Sequence, residues 1–288
     1  MMGPAGSREG AGPVRQPAAA GVFYPDRPER AQAELGRLLA PAAWRRAATA
    51  LVVPHAAWQY SGRVAGRVYA RAMIPRLVVI LGPNHTGLGP GGSVMARGRW
   101  AVTGGEAPIA EELARAILAA APALEEDELA HRSEHAIEVQ LPFLLRLQPR
   151  LAFVPITLMR ADLGFCEEVG RALASVVRAL DEPVLLICST DLNHYESQAA
   201  SNRKDSLAIE ALLSLDPALL IQTVNEYRIS MCGVAPAAAT LAALRGLAHG
   251  PAALVRYETS GDVSGDLARV VGYAGLIIAA APAPAETR

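Results

Sequence analysis

Short runs of apolar residues alternate with longer stretches in which apolar positions recur every three or four residues. The runs ALVVPH (50–55), LVVILGP (77–83), LAFVPIT (151–157), PVLLICST (183–190), AALVRYE (252–258) and VVGYAGLII (270–278) predict β-strands. Several are continuously apolar, the signature of strands covered on both faces. Between them, spacings of three and four predict helices over 27–40, 61–73, 107–120, 162–180, 202–214 and 234–248. Asp216–Pro217 supplies an N-cap with proline at the first helical position and opens one more short helix towards Glu226. This alternation predicts an α/β single domain: a mixed, mostly parallel central sheet flanked by helices on both faces. No internal repeat or low-complexity interior divides the chain. The expected limits are a disordered segment over 1–16, one domain over 17–280 and a disordered tail over 281–288.

Composition narrows the class. Of 288 residues, 51% are hydrophobic and 19% charged, enough apolar material for a large core and the opposite of a disordered balance. A net charge of −1 gives no basic footprint for nucleic acid or an anionic membrane. The most apolar late segment, Val270 to Ala281, is too short to span a bilayer and contains Gly272 and Gly275. Residues 1–17 show no secretory pattern, and three cysteines (Cys166, Cys188, Cys232) cannot all pair, so a reducing cytoplasm is expected.

In open α/β sheets ligands collect beyond the carboxyl ends of the strands. His55 closes the first strand, His85 follows the second in GPNHTGLGPGG, and Asp191 and His194 follow PVLLICST in STDLNHY. A strand-end histidine alone is ordinarily a hydrogen-bonded structural residue; His55 and His85 together suggest a metal site. Cys232, in SMCGVAP, precedes the helix 234–248, where the helix dipole lowers a thiol pKa and favours a metal-binding thiolate. Cys166 and Cys188 read as small buried hydrophobes. In SEHAIEVQLPFL, Ser133 is expected to cap one helical stretch with Glu134 and Glu138 on one face. His135 beside Glu134 suggests a pocket role, and His131 is expected in a solvated loop. Asp191 either orients His194 as a general base or caps a turn. TSGDVSGD (259–266) is either a turn or a loop lining the pocket.

Together, AAAGVFYP, PHAAWQYSG, GPNHTG, SEHAIEVQLPFL, STDLNHY, MCGVAPAAATL and TSGDVSGD resemble the Memo family, whose prokaryotic form is often named AmmeMemoRadiSam system protein B. The matching segments run from about residue 17 to 278. One departure is Ala57, where the family usually has glycine. The resemblance implies a fold like the class III extradiol dioxygenases, which hold iron(II) by two histidines and a glutamate. Carried over, it implies His55 and His85 as metal ligands with Cys232 in place of the carboxylate, and His194 as acid/base with Asp191 beside it. His135 and Glu134 complete the catalytic candidates. A thiolate favours iron or copper, with zinc also suitable, and makes ring cleavage less well supported than metal binding. The resulting expectation is a mononuclear iron or copper oxidoreductase acting on a small-molecule substrate. The alternatives are a zinc-dependent hydrolase and a non-catalytic binding protein working with a radical-SAM partner, since this chain carries no CxxxCxxC cluster motif of its own. Fold alone does not fix the reaction.

Overall fold

The computed structural model describes residues 12–42 and 44–282. Most of the segments expected to be disordered, 1–11 and 283–288, lie outside the described residues. Among the described residues twelve strands follow in chain order: β1 (Val14–Arg15), β2 (Ala48–Val53), β3 (Leu77–Pro83), β4 (Gly92–Val94), β5 (Arg99–Val102), β6 (Gly105–Pro108), β7 (Glu125–Glu126), β8 (Ala152–Leu158), β9 (Val184–Ser189), β10 (His194–Glu196), β11 (His249–Thr259) and β12 (Val270–Ala280). Val14 and Arg15, inside the segment 1–16 expected to be disordered, form a strand. Val14 and Arg15 pair in parallel with Arg99 and Trp100, in a small sheet ordered β1-β5-β6.

The main sheet has nine strands in the order β10-β12-β2-β9-β3-β8-β4-β7, with β11 paired to β12. Its centre is parallel, β2 on β9, β9 on β3 and β3 on β8, and these are the continuously apolar runs. Every residue of β3, β8 and β9 is buried, as strands under helices on both faces should be. Towards the margins β12 on β2, β11 and β10 on β12, and β4 on β8 are antiparallel, while the edge strand β7 pairs in parallel with β4. This is the expected mixed α/β domain, with the parallel pairing concentrated at its centre.

The helices lie close to their expected places, at Pro28–Leu38, Trp58–Arg71, Glu111–Ala120, Leu163–Arg178, Gln198–Leu213, Pro217–Glu226 and Val234–Leu244. Asp216 caps its helix through the Ala218 N–H at 2.9 Å, as Asp-Pro predicted. The helix Val234–Leu244 is apolar all round and packs across β2, β3, β8 and β9. The helix Trp58–Arg71 packs on β2, β11 and β12. At that contact a Cβ on Gly275 would sit 2.4 Å from Val68, so only glycine permits the approach. Among the described residues no helix is long and apolar enough to cross a membrane.

Candidate metal centre

Because β2, β9 and β3 are parallel neighbours, their carboxyl ends share one rim of the sheet. His55 lies two residues beyond β2, His85 two beyond β3 and Asp191 two beyond β9. All three line one open cavity of about 760 Å³, with His135, His194 and Cys232. The structure thus places six of the seven expected site residues on one cavity wall, and Glu134 directly behind them.

Three imidazoles meet there. One ligand atom from each of His55, His85 and His135 lies within 4.8 Å of the others, a spacing that could hold a metal ion. The His85 and His135 rings stack at 4.7 Å between centroids, and the His55 ring stands edge-on to both, at 5.2 and 5.5 Å. Phe23, from the AAAGVFYP segment, stacks on His135 at 4.1 Å and lines the cavity. Cys232 reaches this group through His55, its Sγ 3.2 Å from Nε2.

Buried partners fix which ring nitrogen faces the cavity. Ser189 donates its hydroxyl proton to the Ala136 carbonyl at 2.7 Å. Its oxygen must therefore accept from His55 Nδ1 at 2.9 Å, which leaves His55 Nε2 as a lone pair. Gln140 braces the same oxygen from Nε2 at 3.0 Å and accepts the Tyr69 hydroxyl at 2.8 Å. His85 Nδ1 donates to Glu134 Oε1 at 2.9 Å, and the His85 backbone N–H donates to Glu134 Oε2. The same Oε1 lies 3.3 Å from His135 Nδ1.

The charges follow from these contacts. Burial, then the facing His85, pushes His55 down to about 3. Burial, then His55, pushes His135 down to about 4. Burial opposes ionisation of Glu134, but the His85 hydrogen bond and charge, the Ala136 N–H and His135 outweigh it and hold the carboxyl at about 2. Burial also lowers His85, but Glu134 more than compensates and leaves it raised. The pocket therefore presents neutral His55 and His135 imidazoles at neutral pH, the form that ligates metals.

Several expectations change. Residues 133–137 are not helical, because a short helix, Leu129–Arg132, ends before them and a 3₁₀ turn begins only at Glu138. Ser133 follows that helix as its C-terminal cap residue and does not open a new one. Glu138 shares no helical face with Glu134: fully buried, it accepts from Arg15, the Ala18 and Ala19 N–H groups and the Tyr24 hydroxyl. His131 is buried against Trp100, not solvated, and neither ring nitrogen has a hydrogen-bond partner among the described residues. Cys232 does precede the helix Val234–Leu244, but burial, then the Asp191 charge, raises its thiol pKa instead of lowering it. The turn it sits on needs Gly233, where a Cβ would fall 2.3 Å from that of Thr190. Cys188 and Cys166 are buried, and burial pushes the Cys166 thiol up to about 12.

Asp191 forms no hydrogen bond or ion pair with His194. Its Oδ1 accepts the His55 N–H at 2.8 Å and its Oδ2 lies 4.0 Å from His55 Nε2, while burial raises its pKa. His194 is oriented instead by Ser230, whose carbonyl takes the Nδ1 proton at 2.8 Å, leaving Nε2 free to accept. The TSGDVSGD segment does line the cavity, through Ser260, Ser264 and Asp266. Ala57 has an ordinary φ of −54°, so the backbone there does not require glycine.

These features define a mixed-sheet α/β protein with an imidazole-rich pocket at the carboxyl ends of its parallel strands. The Memo-like protein family profile matches residues 15–277, and the chain belongs to that family. A MEMO1 family protein of Methanopyrus kandleri is 41% identical over 277 residues, covering 91% of this chain and 98% of its own. One of Thermotoga maritima is 39% identical over 279 residues, covering 92% and 99%. An uncharacterized Escherichia coli K12 protein of known structure shares the fold, with a TM-score of 0.52 at 17% identity, covering 79% of this chain and 98% of that one.

Proposed function

We propose that this pocket holds a single transition-metal ion and that the protein is a metal-dependent oxidoreductase acting on a small molecule. The observation that carries the reading is the pair of committed Nδ1 protons. Ser189 takes that of His55 and Glu134 that of His85, so in both rings Nε2 is the nitrogen left for a metal, beside a third imidazole and a thiol. Neutral imidazoles with a neighbouring sulfur suit iron, copper or zinc. His55 and His85 would bind the ion, with His135 or Cys232 as the third donor. A bound redox metal would supply electron transfer and Lewis acidity. The chain's own part is to hold a proton acceptor at His194 Nε2, while the open cavity admits substrate.

Metal analysis of anaerobically purified protein tests this. Stoichiometric iron or copper, lost in His55→Ala and His85→Ala but kept in Cys166→Ala, is expected. Protein that carries and accepts neither metal would sink the proposal. Zinc together with chelator-sensitive ester or amide hydrolysis would move it to the hydrolase reading. Co-purification of a radical-SAM protein from the native host, with no metal bound, would move it to the binding-protein reading.

A further inference from the structure

The mouth of the cavity holds an arrangement that metal binding does not use. His194 pairs with Val271 but Glu196 pairs with Val270, so Tyr195 is the extra residue of a bulge between β10 and β12. Such bulges re-aim side chains beside functional sites. Tyr195 has a φ of +61°, the left-handed region that a bulky side chain rarely adopts. The outcome is a ring 65% exposed at the cavity rim. Arg269, one residue before β12, sets its guanidinium 5.5 Å from that ring's centroid and also lines the cavity.

Some exposed arginines of this protein find carboxylates, and others, such as Arg27 and Arg67, pair with none among the described residues. Arg76 pairs with Glu182, Arg160 with Asp162, and Arg245 with both Glu167 and Asp216. Arg269 pairs with no carboxylate among the described residues. Asp266, on the same wall, uses Oδ1 to accept the Ala268 N–H, and the Ser264 oxygen accepts the Asp266 N–H. The Ser264 hydroxyl proton is left to donate into the cavity. Stacking on Tyr195 orients the guanidinium without consuming its N–H donors, and a guanidinium fork is the side-chain shape that matches an oxyanion.

We propose that Arg269, held over Tyr195, determines specificity for an anionic small molecule, one carrying a carboxylate or a phosphate, in this cavity. The proposal rests on the cavity being the substrate site of the preceding section. It adds the charge of the ligand, which the imidazole floor does not define.

Isothermal titration of the full chain with benzoate, benzamide and inorganic phosphate tests this, using the wild type, Arg269→Gln and Arg269→Lys. The expected result is a preference of about tenfold for benzoate over benzamide in the wild type. Arg269→Gln should abolish it, and Arg269→Lys should keep part of it. Phosphate binding that follows the same order would identify a general oxyanion site; benzoate binding alone would identify a carboxylate site. Equal affinity for benzoate and benzamide, no binding of either anion, or a preference that survives Arg269→Gln would overturn the proposal. Metal content measured on the same preparations reads the other proposal separately. An Arg269-dependent anion preference in protein that takes up no metal would uphold this site while removing the metal centre.

Discussion

Glu134 holds His85 twice, accepting its ring proton on Oε1 at 2.9 Å and its backbone N–H on Oε2. The carboxylate is fully buried and also receives the Ala136 N–H at 2.9 Å, so its position is fixed before any metal arrives. It orients one imidazole and lies beside a second, which makes it a positioning residue for the site and not a ligand in the histidine group.

Glu134→Gln preserves shape but removes the charge that favours proton donation from His85 Nδ1. Metal affinity is expected to fall roughly 10–100-fold, the usual consequence of losing a carboxylate behind a histidine ligand. Competition titration against a chelator of known affinity measures it, with circular dichroism confirming the fold. Unchanged affinity would mean that the orientation of His85 does not depend on Glu134.

Ser189 is the corresponding support for His55, at the end of β9 and fully buried. Ser189→Ala leaves His55 Nδ1–H, the Ala136 carbonyl and the Gln140 amide without a shared partner. A stability loss of about 1–3 kcal/mol is expected from chemical denaturation. Nitrogen-15 spectra of His55 should show its single tautomer giving way to a mixture. That second readout would not move if Ser189 were merely filling space.

The third donor is open to direct comparison. His135 belongs to the compact histidine group, whereas Cys232 contacts it from the side of His55. If sulfur ligates, a copper(II) or iron(III) form should show a charge-transfer absorption that Cys232→Ser abolishes and His135→Ala keeps. If the three imidazoles ligate, metal affinity should collapse in His135→Ala and survive in Cys232→Ser.

The parts of the fold visible in the sequence are those whose pattern is local. β3, β8 and β9 read as strands because burial on both faces makes them continuously apolar. His55, His85 and Asp191 were legible because the carboxyl ends of such strands are where open α/β sheets gather ligands. Two of the errors share one cause, partners far away in sequence. Glu138 resembles a helix-surface acid until Arg15 and Tyr24, more than 110 residues earlier, are folded onto it. His131 resembles a loop residue until Trp100 covers it. The bulge at Tyr195 depends on register against β12, and three-residue strands such as β10 carry too few positions to show any period.

The Arg15–Glu138 pair ties the start of the chain to the segment behind the site. Arg15 also donates to the carbonyls of His131 and Glu134, so the strap supports the loop that carries Glu134. Arg15→Met would strand a buried carboxylate, and a loss of about 3–5 kcal/mol is expected. Tyr24→Phe removes one hydrogen bond to the same carboxylate and should cost less, about 1.5–3 kcal/mol. Urea unfolding of the two variants checks both the magnitudes and their order.

His131 gives the sharpest pH test because it sits outside the histidine group, so bound metal does not complicate it. Burial pushes it down to about 4, against an ordinary value of 6.5, with Asp127 only partly opposing. The unfolded chain therefore takes up a proton as pH falls through 6.5, while the folded protein does not until about 4. Stability contributed by neutral His131 is complete above 6.5 and declines between 6.5 and 4. Glu134 follows on the more acidic side: depressed from 4.5 to about 2, it stabilises above 4.5 and loses that contribution as pH falls towards 2. Phenylalanine at position 131 keeps a ring against Trp100, removes two unpartnered nitrogens and does not titrate. The stability of His131→Phe relative to wild type should therefore rise by roughly 2 kcal/mol between pH 7 and pH 5. Urea titrations at both pH values measure this difference directly. A difference that does not change with pH would show that His131 is not held neutral in the folded protein.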